Sequence, residues 1–267
     1  MGAKNFPRGG VEKDSGVVSG ELGEAPQPPK LTIIVPVYNE RRTLPLVLEA
    51  VKSLPVEKEI IVVDNFSTDG TREYLSGLDD PEVGVLLNPR NLGKGASVRR
   101  GIGRARGEYV VVQDADLEYE PRWLPRLLKE AEERGCDVVF GSRILGLKAG
   151  LWRMRARGAL ERMEHLSYTV ARVLFWLLTR LLFGRAITDP ATCHKLMRAE
   201  VARSLGLRST GFELDFEIAA KVLRKRLKFK EVPIPYRPRT AREGKKIRPV
   251  DLLRGIRVML AVRMGRL

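Results

Sequence analysis

The chain has 267 residues, of which 43% are hydrophobic and 30% are charged, and its formal net charge is +15. This composition excludes a chain that is disordered overall, and no apolar stretch reaches the roughly 20 residues needed to cross a bilayer. The two cysteines, Cys136 and Cys193, lack metal-ligand spacing and fit reduced thiols in a cytosolic protein.

The first thirty residues show neither helical nor strand periodicity. Prolines and glycines interrupt them throughout, which predicts a flexible leader over residues 1–30. The leader also lacks the apolar run of a signal peptide.

From Leu31 the chain alternates between strand-like and helix-like segments. Short β-branched or apolar runs predict strands at residues 31–35, 59–63, 83–87, 109–113 and 137–140. Apolar residues at helical spacing predict helices at residues 44–51, 71–78, 92–106 and 124–131. The alternation predicts an α/β, Rossmann-like domain over residues 31–248, with a largely parallel sheet flanked by helices on both faces.

Two segments depart from this alternation. Residues 151–183 show no strand signal, and their apolar run at 173–183 is interrupted by Arg180 and is too short to span a membrane. Residues 249–267 mix leucines with arginines. Both segments are predicted to form amphipathic helices that lie in a membrane interface. The alternative for 151–183 is a helical hairpin packed on the protein's own core or on a second subunit.

The positive charge is concentrated in one half of the chain. Residues 143–267 carry 29 basic and 10 acidic side chains, whereas residues 31–142 carry 15 basic and 19 acidic ones. A basic half of this kind could bind nucleic acid, or it could bind anionic lipid head groups together with a phosphate-bearing lipid.

Asp114-Ala115-Asp116 follows directly after the apolar run Tyr109-Val110-Val111-Val112. A strand that ends there presents two carboxylates at the carboxyl edge of the sheet, where open α/β sheets bind ligands. Hard divalent cations such as Mg²⁺ or Mn²⁺ prefer oxygen ligands and often retain a substrate phosphate. The pattern suggests a metal-bridged diphosphate site, with a solvated turn as the alternative.

The segment Asn91-Leu92-Gly93-Lys94-Gly95 opens a predicted helix. Its glycines and the Lys94 ammonium would allow a close approach to phosphate. A hydride-transferring Rossmann enzyme would instead carry its glycines after the first strand, where this chain has Pro36-Val37-Tyr38-Asn39.

Seven motifs, in order, resemble a known family. IVPVYNE (34–40), VVDNFSTDGT (62–71), the stretch from NLGKG to EYEP (91–121) and GSR (141–143) resemble the family 2 inverting glycosyltransferases of the GT-A fold. TDPATCHKLMR (188–198), GFELDFEIAAK (211–221) and EVPIPYRPRTAREGKKI (231–247) are similar to the polyprenyl-phosphate branch, typified by dolichyl-phosphate mannose synthases. The resemblance covers about residues 31–260.

The resemblance implies a role for residues at several strand ends. A nucleotide-sugar donor would be held by Pro36, Tyr38, Glu40, Asp64, Asn65, Lys94, Asp114, Ala115 and Asp116. A Mg²⁺ or Mn²⁺ ion would be held by Asp114, Asp116 and Glu118, and the acceptor phosphate by Arg143, Arg157 and Arg239. The catalytic residues would be Asp116, Asp189, Arg143 and Arg239, with Glu213 and Asp215 near the sugar. Asn65 departs from the many relatives that have a second aspartate there.

The resemblance also implies a function. We expect inverting transfer of a hexose from a nucleotide sugar to a polyprenyl or dolichyl phosphate, by a peripheral protein on the cytosolic, anionic face of the cell membrane. Mannose from GDP-mannose is the first expectation and glucose from UDP-glucose the second, and no nucleic-acid partner is expected. The alternatives are a soluble acceptor, or a noncatalytic nucleic-acid or membrane-surface binder that keeps the fold.

Overall fold

A computed structural model describes residues 28–152, 170, 173–239 and 249–267. The predicted leader up to residue 27, Arg157 and residues 240–248 lie outside the described residues.

The centre of the described structure is a seven-stranded sheet of order β3-β2-β1-β4-β6-β5-β7. The strands are β1 Leu31–Val37, β2 Lys58–Asp64, β3 Val83–Leu87, β4 Tyr109–Val112, β5 Val138–Ser142, β6 Lys195–Arg198 and β7 Phe229–Pro233. β6 runs antiparallel to both of its neighbours, and every other neighbouring pair is parallel. The largely parallel α/β sheet predicted from the sequence is therefore confirmed.

Helices cover the sheet and follow its strands. They are α1 Leu44–Lys52, α2 Thr71–Ser76, α3 Lys94–Ile102, α4 Leu124–Arg134, α5 Arg143–Lys148, α6 at 173–183, α7 Ala199–Ser204, α8 Leu214–Arg224 and α9 Pro249–Arg263. Every residue of β1 and of β4 is buried, as expected for strands covered on both faces.

The third predicted helix ends earlier than expected. α3 stops at Ile102, and residues 103–107 turn the chain into β4. Gly107 packs directly on β1, where its N–H donates to Thr32 Oγ1 and a Cβ would lie 2.6 Å from the Thr32 nitrogen. This close approach, which apolar periodicity does not reveal, requires the glycine and the turn.

A smaller core joins α6, α8 and α9. The rings of Phe175 and Phe216 stack with centroids 4.5 Å apart, and Met259 packs in the same cluster. The opposite side of α6 is open, with Leu177 and Leu181 exposed by 44% and 80%. The apolar run therefore packs on the protein's own core through one face and presents another face to the outside. None of the helices described here is long and apolar enough to cross a membrane.

Candidate active site

A cavity of about 490 Å³ opens at the carboxyl edge of the sheet. The order of the strands reverses between β1 and β4, and such a switch point is where open α/β sheets form binding crevices. Most of the residues singled out from the sequence line this cavity: Pro36, Tyr38, Glu40, Asn65, Lys94, Asp114, Ala115, Asp116, Glu118, Arg143, Asp215 and Arg239.

The middle of the cavity holds a cluster of charges after β4. Lys94 Nζ lies 2.7 Å from Asp114 Oδ1. Arg239 bridges two carboxylates, with Nη2 2.8 Å from Asp116 Oδ2 and Nη1 2.9 Å from Glu40 Oε1. The segments after β1, β4 and β7 are thereby held together by charge-assisted hydrogen bonds.

The two aspartates differ in their electrostatics. Burial raises the pKa of Asp116 to about 7, and the negative charges of Asp114 and Glu118 contribute in the same direction. Burial also acts to raise the pKa of Asp114, but the adjacent Lys94 ammonium outweighs it and lowers that pKa. Burial, together with the neighbouring carboxylates, therefore disfavours the charged form of Asp116.

This donor set fits a hard divalent cation. Asp114 and Asp116 offer carboxylate oxygens on one short segment, and a divalent cation would neutralise their negative charge. Across the described ranges, no three His, Cys, Asp or Glu side chains converge as a ready set of ligands. Two carboxylates are nevertheless enough for Mg²⁺, which usually completes its shell with water and substrate phosphates.

Glu118, predicted as a third metal ligand, holds the loop after β7. Its carboxylate accepts hydrogen bonds from Tyr236 Oη at 2.8 Å and from the Arg239 backbone N–H at 2.8 Å. Its backbone carbonyl accepts from Arg237 N at 3.0 Å. Glu118 thus fastens residues 236–239 to the Asp114–Asp116 segment, and its contact with a metal stays a prediction.

Arg143 begins α5 at the end of β5 and is almost fully buried. Its Nε and Nη2 donate to the two carboxylate oxygens of Asp189, both at 2.7 Å, and its backbone N–H donates to Asp189 Oδ2 at 3.0 Å. Asp189 does not line the cavity, so the structure places it behind Arg143. Glu231 in turn holds the Asp189 turn by accepting from the backbone N–H groups of Thr188 and Asp189.

Aromatic side chains that the sequence analysis did not single out surround Arg143. The guanidinium carbon lies 4.9 Å from the ring centroid of Tyr236 and 5.9 Å from that of Tyr119. Trp152 Nε1 donates to the Arg143 carbonyl at 2.9 Å. The planar cation is therefore fixed by stacking as well as by its ion pair.

Asp64 is fully buried and does not line the cavity. Its carboxylate accepts from the backbone N–H groups of Phe66 and Ser67 and from Arg72 Nη1. Neighbouring Asn65 does line the cavity. A contact between Asp64 and a nucleoside stays a prediction.

The glycines before α3 have a packing role. Gly93 adopts φ +90°, and a Cβ there would overlap the Thr210 carbonyl oxygen. A Cβ on Gly95 would lie 2.7 Å from the Ser209 carbonyl oxygen. The loop at 209–211 therefore sits against the start of α3, and the predicted phosphate contact of this segment stays a prediction.

Further side chains shape the region between Asp114 and Arg143. Asp215 lines the cavity and pairs with the buried Lys195 at 2.7 Å, whereas Glu213 does not line it. His194 packs on Tyr119 with ring centroids 4.7 Å apart, and its Nε2 lies 2.9 Å from Gln113 Oε1. Burial lowers the pKa of His194 to about 3, so this imidazole is neutral at physiological pH.

The mixed α/β fold, with its seven-stranded sheet flanked by helices, is of the GT-A type. The fold resembles that of glucosyl-3-phosphoglycerate synthase from Mycobacterium tuberculosis, which was crystallised with Mn²⁺, UDP and glucosyl-3-phosphoglycerate. The TM-score is 0.61 and the sequence identity is 20%. The comparison covers 89% of this chain and 80% of that one.

The sequence comparisons show the family. The family model described as "Glycosyl transferase family 2" matches residues 32–206 of this chain. An undecaprenyl-phosphate mannosyltransferase of Micrococcus luteus is 31% identical over 230 residues, which cover 81% of this chain and 87% of that protein. The chain therefore belongs to glycosyl transferase family 2.

A second relative matches about half of this chain. The undecaprenyl-phosphate 4-deoxy-4-formamido-L-arabinose transferase of Photorhabdus laumondii is 37% identical over 142 residues, or 50% of this chain. The match spans 43% of that transferase's own length.

Proposed function

We propose that this glycosyltransferase moves a hexose, with inversion, from a nucleotide sugar to a polyprenyl phosphate. One observation carries the proposal: a single cavity holds a carboxylate pair after β4 and a buried, aromatic-flanked arginine after β5. The first suits a metal-bound diphosphate, and the second suits a second phosphate. Both sequence relatives described above are named as undecaprenyl-phosphate transferases, which supports a polyprenyl-phosphate acceptor.

The donor would occupy the half of the cavity formed by the ends of β1 to β4. Asp114 and Asp116, with Glu118 as a predicted third ligand, would hold Mg²⁺ or Mn²⁺, which neutralises the departing diphosphate when bound. The Mn²⁺ and UDP in the mycobacterial structure support a divalent ion and a nucleotide donor. Lys94, 2.7 Å from Asp114, offers its ammonium to the same diphosphate.

The acceptor phosphate would lie against Arg143. Asp189 would act as a positioning residue, because it accepts hydrogen bonds from Arg143 Nε and Nη2 while staying out of the cavity. Arg239 reaches the same space from the loop after β7, and its contacts with Glu40 and Asp116 must loosen for it to join. Arg157, outside the described residues, is the third predicted phosphate ligand.

The transfer exchanges one bond at the sugar. An oxygen of the lipid phosphate attacks the anomeric carbon, the bond from that carbon to the donor's β-phosphate breaks, and the nucleoside diphosphate leaves with the electron pair. Attack from the opposite face inverts the anomeric centre. No side chain has to remove a proton, because the second pKa of a phosphate monoester lies near 6.

The sugar is a hexose by this proposal. Mannose is the first expectation from the sequence, and the Micrococcus luteus relative is named as a mannosyltransferase. Glucose from a UDP donor is the second. A soluble acceptor remains the alternative to a lipid phosphate.

We propose that the enzyme works at the cytosolic face of the cell membrane, as a peripheral protein, because its proposed acceptor is a membrane lipid. Leu174, Leu177 and Leu181 form an exposed apolar stripe on α6, and Leu253 and Leu260 are exposed on α9. Exposed arginines, among them Arg254 and Arg257, lie beside them. Apolar side chains flanked by cations are typical of helices that bind anionic lipid surfaces. Sedimentation with anionic vesicles at low salt and release at high salt would support this location, and equal binding to neutral vesicles would contradict it.

Product analysis tests the reaction. The full chain would be incubated with a panel of nucleotide sugars, with and without polyprenyl phosphate and with Mn²⁺ or EDTA. We expect a polyprenyl-phosphate hexose only when all three components are present. Hexose transfer to a soluble acceptor, or no transfer from any nucleotide sugar, would overturn the proposal.

A further inference from the structure

The side chain of Arg239 lies among three carboxylates of the site. Its Nη2 is 2.8 Å from Asp116 Oδ2, and its Nη1 is 2.9 Å from Glu40 Oε1. Its Nε is buried 3.5 Å from Glu118 Oε1 and makes no hydrogen bond to any described residue. The guanidinium therefore neutralises carboxylates after β1 and β4 while one of its own donors stays unsatisfied, which is costly for a buried group.

One of these carboxylates, Asp116, is also a predicted ligand of the divalent cation. Both of its oxygens already accept hydrogen bonds, Oδ2 from Arg239 Nη2 at 2.8 Å and Oδ1 from the Glu118 backbone N–H at 3.1 Å. A divalent cation bonded to Oδ2 at about 2.1 Å would lie within about 5 Å of Arg239 Nη2. The side chains of Arg239 and Asp116 are exposed by only 16% and 13%, so water screens the repulsion between the two cations poorly.

The backbone that carries Arg239 is held independently of its side chain. Glu118 accepts from the Arg239 backbone N–H and from Tyr236 Oη, and neither contact involves the guanidinium. Tyr236 belongs to the same loop, and its ring centroid lies 4.9 Å from the guanidinium carbon of Arg143. A change of rotamer at Arg239 therefore leaves the loop in place beside Arg143.

We infer that Arg239 is a built-in counter-ion of the metal site, which the divalent cation displaces from Asp116 so that it can bind the acceptor phosphate. The inference rests on the proposed function, in which Arg239 and Arg143 share that phosphate, and it names what moves Arg239 there. The cation and Arg239 exclude each other at Asp116. The cation and the acceptor phosphate bind cooperatively, because the first releases a side chain that the second requires.

Binding of Mn²⁺ alone tests the exclusion without any transfer reaction. The full chain and its Arg239→Gln variant would be titrated with Mn²⁺, and free Mn²⁺ would be measured by its electron paramagnetic resonance signal. We expect Arg239→Gln to bind Mn²⁺ about tenfold more tightly or better. A tenfold effect corresponds to an Arg239 side chain that blocks Asp116 about nine-tenths of the time.

Arg237→Gln is the matched control. It removes the same charge two positions away, at an exposed residue that does not line the active-site cavity. Water and salt screen an exposed charge, so this variant should change the Kd for Mn²⁺ less than about threefold.

Binding of farnesyl phosphate, a short isoprenyl monophosphate, tests the second half of the inference. Its Kd would be measured with and without Mn²⁺ for the unaltered chain and both variants. Bound Mn²⁺ attracts a phosphate in all three chains, so the ratio of the two Kd values is compared between them. We expect Mn²⁺ to improve binding at least about tenfold more in the unaltered chain and in Arg237→Gln than in Arg239→Gln.

The possible failures separate the inference from the proposed function. Equal Mn²⁺ affinities of the unaltered chain and Arg239→Gln, or equal improvement of farnesyl phosphate binding in both, would overturn the inference and leave metal-dependent hexose transfer intact. An effect of Arg237→Gln as large as that of Arg239→Gln would also overturn it, because net charge alone would then be responsible. A folded chain that binds no Mn²⁺, either alone or with UDP or GDP, would overturn the proposed metal site and the inference with it.

Discussion

Replacing Asp189 with asparagine should damage acceptor binding and stability together. The side chains of Asp189 and Arg143 are exposed by only 4% and 8%, and two charge-assisted hydrogen bonds of 2.7 Å join them. Removing one partner of such a buried pair costs about 3 to 5 kcal/mol, because the remaining charge is left uncompensated. Asparagine keeps one acceptor oxygen, so we expect a loss of about 2 to 4 kcal/mol.

The kinetic effect follows from the same geometry. Without both carboxylate oxygens the guanidinium fork of Arg143 is no longer fixed, and we expect the KM for polyprenyl phosphate to rise about tenfold or more. The Kd for the nucleotide should change little, because Asp189 does not line the cavity. Urea unfolding measures the first effect, and steady-state kinetics with varied lipid phosphate measures the second.

Glu217→Gln provides the matched control. Glu217 and Lys221 also form a buried ion pair, at 2.6 Å, and neither residue lines the active-site cavity. This variant should lose a similar amount of stability with an unchanged KM for the acceptor. If Glu217→Gln raises that KM as much as Asp189→Asn does, or if Asp189→Asn leaves it unchanged, Asp189 does not position a phosphate-binding arginine.

Three further predictions concern the charged and titrating groups of the site. Asp116→Ala or excess EDTA should abolish transfer. The Tm of Asp116→Ala should change by only a few degrees, because Asp116 lines a cavity and is not part of the hydrophobic core. Full activity in EDTA would contradict the metal site. Arg239→Ala should raise the KM for lipid phosphate about tenfold and change the nucleotide Kd less than about threefold, and equal changes would show that its partner is the donor. The pKa of His194 is lowered to about 3 from 6.5, so the unfolded chain binds a proton that the folded chain does not, and this residue's contribution to stability falls as the pH drops below 6.5. In urea unfolding, His194→Gln should therefore gain about 2 kcal/mol relative to the unaltered chain between pH 7 and pH 5, and a pH-independent difference would contradict the burial argument.

The strand ends could be predicted because they depend on local pattern. The run from Tyr109 to Val112 buries every residue, and the chain leaves the sheet at Asp114 as its composition indicates. Charged residues that follow a strand buried on both faces lie at the edge of the sheet, where solvent or a ligand can contact them. Tyr38, Glu40 and Arg143, which the family resemblance singled out, line the same cavity.

Pairings between distant segments could not be predicted from local pattern. Arg143 and Asp189 are 46 positions apart, and Glu118 meets Arg239 over 121 positions. Asn88 gave only a weak signal, a polar side chain just after a strand. Its hydrogen bonds with Asn65 and Arg100 form only in the folded chain.

The antiparallel strand β6 widens the site between Asp114 and Arg143. It is four residues long, contains two cations and comes from residues 195–198, so neither length nor alternation predicts it. It lies between β4, which precedes Asp114, and β5, which precedes Arg143. β4 and β5 are therefore two strand spacings apart, about 9 to 10 Å. Because β6 runs the other way, its entry lies at the carboxyl edge, and Ala191 and Cys193 from that entry line the gap. In the proposed reaction, a metal-bound diphosphate and an acceptor phosphate would be adjacent without β6 and would repel each other. With β6 between them, the proposed site leaves space for a hexose ring.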